Sequence, residues 1–513
     1  MCAHRADGAH DVGCDRLTEG PETNIISKIP KGLWTDALQA SAALRSAKSV
    51  HVATHIDADG ISAAAIAKIA LERIGVKVAV SFHKKLDQDL IADLKSKTSD
   101  IVWLTDLGSG SLSKLDGLEA IVSDHHVPDP NWRGRQERGQ MALSDFASVR
   151  HVNPQTHGLS GANELSGAGA TYLVAHALDG GNRDLLPLAI LGAVGDLQDQ
   201  TTRRLEGLNR VLLDAATALG LVDVVQDIRY FGRETRPVHK MLEFSGDPYI
   251  PRITGSEEGA IAFLLELGIE LKEGDEWRAW TDLSRTEKER IISELKELLL
   301  ASKRRQETVD RLVGEVYIFT REARRTPLRD AKEYATLLNA CGRHGKGDVA
   351  LRICTGDRGD ALSEGMTLLR DHRSAISKAL QWARGSGIVR MRNIQFFDAG
   401  DEIEDTIVGT VAGMLLNGEG ADRSVPMVAF AESTEYSDEP KLKASARGTR
   451  EMVSNGLDLA VAMRSAAEKV GGVGGGHNIA AGATIPAARR DEFLQLLDGI
   501  VGAQVVRRAR QRG

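Results

Sequence analysis

Four short apolar runs, "VHVA", "VKVAV", "IVWL" and "AIV", recur between about residues 50 and 123, with helix-like segments between the first three. Runs this short and this apolar suit strands buried on both faces. Strands separated by single helices imply parallel crossovers. "GISAAAIAKIALERIG" and "DQDLIADLKSK" carry the helical spacing, and "GAGATYLVAHAL" and "LLPLAILGAVGDLQD" add further apolar helices. The expected fold class is therefore α/β, built on a parallel sheet.

At 513 residues the chain exceeds one ordinary core, so several domains are expected. The expected division is a poorly ordered tail over 1–32, a catalytic unit over 33–200, a mainly helical central module over 201–283, a connecting helix over 284–315 and a second α/β unit over 316–513. In that second unit, "EVYIFT", "IVRMRNIQFFDAG" and "VPMVAFAES" read as strands. The net charge is −7, so any nucleic-acid site must be a local basic patch. Four scattered cysteines without a C-x-x-C pair suit a reducing cytoplasm. Cys2, Cys14, His4 and His10 lie close in sequence, but their irregular spacing argues for a tail and against a zinc site. No run reaches membrane-spanning length, so a cytoplasmic location without membrane contact is expected.

Acids and histidines gather where the apolar runs end. "ATHIDADGISAA" places His55, Asp57 and Asp59 at a strand–helix seam. Asp59 could be an N-cap, with Gly60 easing the turn. That would leave Asp57 and His55 unexplained. Asp106 follows "IVWLT"; Asp124, His125 and His126 follow "AIVS"; Asp196 and Asp199 follow "LGAVG". Ligands of parallel sheets bind beyond the carboxyl ends of strands, so these groups can meet in one crevice. Clustered carboxylates repel unless cations neutralise them, and Asp and His suit Mn²⁺ or Mg²⁺. A bridging Asp can hold two such ions roughly 3.5–4 Å apart. Asp199 is expected to be a structural or supporting acid.

The second cluster is "KVGGVGGGHNIAAGATIP". Five of the seven residues from Gly471 to His477 are glycine, which lets backbone N–H groups approach an anion. A helix after the glycines would add its positive end, and His477 could donate to a phosphate. Upstream, Lys441, Lys443 and Arg447 alternate along "KLKASAR", a basic row with Ser445 on the same face. Such a row suits a phosphate backbone, or a solvated edge strand.

"HIDADG", "TDLG", "SDHH" and "AVGD" resemble, in order, the four motifs of the DHH phosphoesterase superfamily. "GGGHNIAAG" is similar to the main motif of the associated DHHA1 domain. The resemblance implies an α/β DHH domain and an α/β DHHA1 domain facing each other across a cleft. It implies metal-ligand roles for His55, Asp57, Asp59, Asp106, His125 and Asp196, with Asp124 and His126 among the catalytic groups. Many relatives place the first histidine where Ala53 stands here. It also implies that Lys443, Ser445, Arg447, Gly474, Gly475, Gly476 and His477 hold substrate, and that two divalent cations, Mn²⁺ or Mg²⁺, are the cofactors. "RYFGRETRPVHKMLEFSGDPYIPRITG", "EWRAWTDLSRTEK" and "RDAKEYATLLNACGR" resemble the archaeal RecJ-like group. Those proteins are exonucleases on single strands of DNA or RNA, and some associate with the GINS complex of the replicative helicase.

Three functions compete at this point. The first is a metal-dependent exonuclease releasing mononucleotides, the second a phosphodiesterase for short RNA or cyclic dinucleotides, and the third a replisome interaction protein. Tyr230, Phe231, Phe396 and Phe397 are candidate base-stacking residues, with core packing the simpler role for each.

Overall fold

The computed structural model describes residues 23–132, 149–302, 306–418, 421–433 and 439–512. Cys2, His4, His10 and Cys14 lie outside them. The described residues begin within the segment expected to be a tail. A helix spans Thr23–Lys28, and Ile25 and Ile29 are buried in the main core.

The first sheet has five strands: β1 (Ser49–His55), β2 (Lys77–His83), β3 (Ile101–Thr105), β4 (Ala120–Ser123) and β5 (Arg150–Val152). Their order is β2-β1-β3-β4-β5, and every pairing is parallel. Alternate side chains separate onto two faces. Val50, Val52, Trp103 and Ile121 enter the main core, which also holds helices Ala58–Arg73, Gly167–Leu178 and Leu186–Gly195. Ala53, Val102, Leu104, Ala120 and Val122 point to the opposite core with Leu90, Ile91 and Leu94 of helix Gln88–Ser96. Burial on both faces is why these strands read as uninterrupted apolar runs.

The central segment, expected to be mainly helical, also contains a strand, β6 (Val222–Ile228). It pairs antiparallel along its whole length with β9 (Val313–Phe319), between which lies the small hairpin of β7 (Lys272–Glu273) and β8 (Glu276–Trp277). "EVYIFT" is therefore not a strand of the second sheet. Tyr317 and Phe319, and the following helix Ala331–Arg343, pack in the main core instead.

The helix expected to connect domains spans Arg285–Ala301 and stays within the central module. Its Ile291, Leu295 and Leu299 share a core with Ile228, Met241, Trp280 and Leu312. Trp280 anchors that core, and its indole N–H donates to Asp227. The bridge is the 27-residue helix Asp360–Ser386. Its Leu369 lies in the first core, and its Ala379 and Ala383 in that of the second sheet.

The second sheet contains β10 (Val389–Arg390), β11 (Gln395–Asp398), β12 (Met427–Glu432), β13 (Lys441–Arg447), β14 (Val473–Gly476) and β15 (Ala480–Pro486). Its order is β10-β11-β12-β13-β15-β14, parallel only between β11 and β12. Among the described residues no helix is long and apolar enough to cross a membrane.

Candidate metal and phosphate site

The sheet brings the expected acids and histidines together at its carboxyl edge. His55 ends β1, Asp106 follows β3, and Asp124, His125 and His126 follow β4. Asp196 caps the carboxyl end of helix Leu186–Gly195. Three overlapping groups of possible ligands result, His55–Asp57–Asp106, Asp59–His125–Asp196 and Asp106–Asp124–His125–His126. Asp106 lies between the first two: its Oδ2 is 3.5 Å from His55 Nδ1 and its Oδ1 is 3.2 Å from His125 Nε2. His125 Nε2 also lies 3.4 Å from Asp196 Oδ2.

The donor set fits a divalent cation. His55 Nδ1, Asp106 Oδ1 and His125 Nε2 are buried without a well-formed hydrogen bond among the described residues, although His55 Nδ1 is 2.8 Å from Asp57 Oδ2 and His125 Nε2 is 3.2 Å from Asp106 Oδ1. The His125 tautomer is fixed as well, because its Nδ1–H donates to the Gly161 carbonyl at 2.6 Å, leaving the Nε2 lone pair facing the acids. Gln198 donates to the same carbonyl and accepts from Asn209. Burial, and then the charge of Asp106, push the Asp59 carboxyl well above its usual range; the Asp196 carboxyl is raised by burial and, opposed by His125, by Asp106. These are the shifts expected of carboxylates crowded together with no cation counted.

Local structure fixes the acids. The N-cap of helix Ala58–Arg73 is Asp57, not Asp59: Asp57 Oδ1 accepts from Gly60 N–H at 3.0 Å. Asp59 sits within the first turn, where its two oxygens accept the Gly167 and Ala168 N–H groups at 2.7 and 2.9 Å. Those N–H groups open helix Gly167–Leu178, whose end favours negative charge. Asp106 is held at φ 53, a strained conformation for a non-glycine residue.

Asp124 belongs to the third ligand group, but both of its oxygens are already engaged by neighbouring donors. One of its oxygens accepts His126 Nδ1–H at 2.8 Å and the His125 N–H, and the other accepts Ser109 N–H. Burial opposes charge on His126, but Asp124 outweighs it and raises the imidazole to about 9. A half-exposed imidazolium thus faces the crevice. Asp199 pairs with Arg229 at 2.6 Å, a structural contact.

Several residues of the site had no motif to reveal them. A Cβ on Gly167 would fall 2.6 Å from Asp106 Cβ, and one on Gly192 would fall 2.2 Å from Asp59 Oδ1. Gly161 and Gly342 allow equally close backbone approach, to His125 and Ile56. Arg343 ends helix Ala331–Arg343; its charge acts on Asp57, and Asn339 of the same helix accepts the Ala58 N–H.

On the second sheet, Lys441, Lys443, Ser445 and Arg447 alternate along β13 and share one face, as expected. Arg447 is half-buried and is depressed by burial and by the Arg343 charge, which joins this row to the acids. The glycine segment departs from expectation. Val473–Gly476 forms β14, paired with β15, so a strand and not a helix follows it. His477 is exposed at the hairpin tip, with its N–H bonded to Ala480 O at 2.8 Å. Gly474 and Gly475 lie in the ladder and Gly476 has φ 133, which only glycine adopts readily. Of the candidate stacking residues, Tyr230 and Phe397 are core, Phe396 packs edge-on against Phe430, and Phe231 contacts two arginines.

Comparison with known proteins agrees with this arrangement. The DHH-CID domain model matches residues 230–313, and the DHHA1 domain model matches residues 391–503. An uncharacterised protein of Methanocaldococcus jannaschii is 28% identical over 89% of this chain and 94% of its own length. The single-stranded-DNA-specific exonuclease RecJ of Bacillus subtilis is 23% identical over 52% of this chain, but over only 34% of its own length. Among solved structures, RecJ of Thermus thermophilus in complex with Mn²⁺ superposes with TM-score 0.55 and 19% identity, covering 93% of this chain and 55% of that one. CDC45 of Entamoeba histolytica superposes with TM-score 0.60 and 10% identity, covering 94% and 99%. The DHH-CID and DHHA1 domain matches, laid over the motifs at the sheet edge, support a RecJ-like member of the DHH/DHHA1 superfamily, and the RecJ and CDC45 likenesses show the fold.

Proposed function

We propose that this protein is a metal-dependent exonuclease that hydrolyses phosphodiester bonds of single-stranded DNA or RNA to mononucleotides. The observation that carries the reading is the convergence of the His55–Asp57–Asp106 and Asp59–His125–Asp196 groups, with Asp106 lying against a histidine of each. His55, Asp57 and Asp106 would hold one cation, and Asp59, His125, Asp196 and Asp106 a second, Mn²⁺ or Mg²⁺. When bound, such ions lower the pKa of a water and neutralise charge at phosphorus.

The chain's own residues supply the rest. Asp124 holds the His126 imidazolium so that its free Nε2–H can donate to a phosphate oxygen of the scissile bond. Arg343 and Arg447 add two guanidinium groups for the same phosphate or its neighbour, a geometry suited to bidentate contact. Lys443 and Ser445 extend the row, and the β14–β15 hairpin with Gly474, Gly475, Gly476 and His477 closes the far wall. In this scheme the 33–200 unit carries the chemistry and the DHHA1 unit grips substrate. Hydrolysis of end-labelled DNA and RNA strands in Mn²⁺ tests the reading: a ladder that starts as mononucleotide supports it, and inert strands refute it.

A partner role has its own support. The match over 230–313 is to a module distinct from the metal site, and the fold likeness to CDC45 covers almost the whole chain. We propose that the GINS complex of the replicative helicase docks on this module, in the cytoplasm and away from any membrane. Pull-down with purified GINS tests it.

A further inference from the structure

Outside the metal-ligand cluster, cations and rings alternate in a ladder. Arg373 Cζ lies 4.9 Å from the Phe231 ring centroid, and Arg236 Cζ lies 4.9 Å from the same ring. Arg236 Cζ is also 4.8 Å from the Phe244 centroid, and Lys240 Nζ reaches that ring at 5.9 Å. One arginine on a ring is an ordinary cation–π contact. Two on one ring repel each other, so packing alone is a poor reason for the arrangement.

Neither guanidinium has a counter-charge in contact. Among the described residues the Arg236 side chain makes no hydrogen bond or ion pair, and Arg373 Nε and Nη2 are buried without a hydrogen-bond partner. Burial, and then the Arg373 charge, depress Arg236 to about 10. Glu333 acts on both, but its oxygens already accept Glu234 N–H and the Thr235 hydroxyl; Glu243 also acts on Arg236, and it pairs with Lys240 at 2.9 Å. Buried N–H donors with no acceptor are costly, and a bound anion would satisfy them.

The ladder is continuous with the site. Arg373 follows His372, whose Nε2 accepts from Arg343 Nη1 at 2.9 Å, and the Arg343 charge acts on Asp57. At its other end, Phe231 and Phe244 line a cavity of about 140 Å³. Its wall holds Arg203, Arg229, Arg311 and Lys332; Asp199 pairs with Arg229 and Asp247 with Arg311, which leaves Arg203 and Lys332 without a carboxylate in contact among the described residues.

The geometry points to a second nucleic-acid subsite, in which bases of a single strand stack on Phe231 and Phe244 while its phosphates meet Arg236, Arg373 and the cationic cavity. The subsite rests on the exonuclease reading and says where the strand beyond the scissile phosphate is held. Stacking rings interleaved with cations recognise unpaired bases, because paired bases present no free faces. An acidic protein segment would use the cations and leave the rings idle.

The test uses the full chain and phosphorothioate oligothymidylates of 3 and 12 nucleotides, with binding read by fluorescence anisotropy. Phe244 is exposed, so Phe244→Ala spares the core, and Arg236→Gln keeps most of the side-chain stem. Each variant is expected to weaken the 12-mer about tenfold, the size of one base–aromatic stack, with the 3-mer within about twofold. Arg236→Gln should also flatten the 12-mer salt slope by about 0.7 per lost phosphate contact. Wild-type affinity for the 12-mer in both variants, or equal losses at both lengths, overturns the subsite. So does displacement by polyglutamate as effective as by oligonucleotide, which would mark an acidic-protein surface. Wild-type cleavage of the matching phosphodiester strands in Mn²⁺ is measured alongside. Cleavage combined with unaffected variants overturns the subsite alone; a wild-type protein that neither binds nor cleaves strands overturns the subsite and the exonuclease reading together.

Discussion

Gly167 shows how much of this site depends on residues that carry no chemistry. Its missing Cβ is what lets helix Gly167–Leu178 approach Asp106 while its first N–H groups hold Asp59. We expect Gly167→Ala to leave a folded protein whose kcat falls about 100-fold, since a displacement near 1 Å can cost that much. Steady-state kinetics beside a thermal melt check it. The acids themselves were legible as types, in order, at the ends of apolar runs. The glycines and Arg343 were not, because their value lies in contacts with residues distant in sequence. His151 gives a pH test at the same scale. It is buried, bonded to Ser109 Oγ at 2.9 Å, and pushed down to about 4 by burial. The unfolded chain takes a proton below about pH 6.5 and the folded one does not until about 4, so this contribution is intact above 6.5 and lost as pH falls toward 4. At about 1.36 kcal/mol per pKa unit the loss is on the order of 3 kcal/mol. Melting wild type and His151→Asn from pH 7 to 4 should show the shallower acid dependence in the variant.

At the scale of elements, strands buried on both faces announced themselves and others did not. β3 and β4 are buried at every position, so their apolar runs were unbroken. β6 has mostly exposed or half-buried positions, and its partner β9 lies far along the chain, so nothing local marked the pair. The glycines of β14 read as a loop, because a sequence does not show that a neighbouring strand will supply the hydrogen bonds. β13 was legible through its alternating cations, and its face supports a prediction. Arg447→Ala should weaken strand binding about tenfold and flatten the salt slope by about 0.7, the share of one single-strand phosphate. Titration by anisotropy at several salt concentrations checks both, and unchanged slope and affinity would make the row a solvated strand.

At the scale of the whole molecule, four cores organise the chain. After the central module's own core, the segment from Tyr317 to Leu369 returns to the core of the first sheet, and helix Asp360–Ser386 carries the chain to the second. A deletion that stops at residue 283 would cut the module's own core, which extends to Leu312. Ile228 and Val313 are register partners, so excision of residues 229–312 can be closed by a short linker. That protein should melt cooperatively, cleave very short strands and fail to pull down GINS; retained GINS binding would put the partner surface elsewhere. The organisation places the sheet-edge acids opposite the basic row of β13, and the central claim is that this crevice is a metal-dependent nuclease. Its most direct test is Mn²⁺-dependent hydrolysis of an end-labelled single strand by wild type and by Asp106→Ala, the acid lying between the His55 and His125 ligand groups, with folding shown by a melt. The account predicts mononucleotide release by the wild type, abolished by EDTA and by the substitution. Near-normal turnover by folded Asp106→Ala would contradict it.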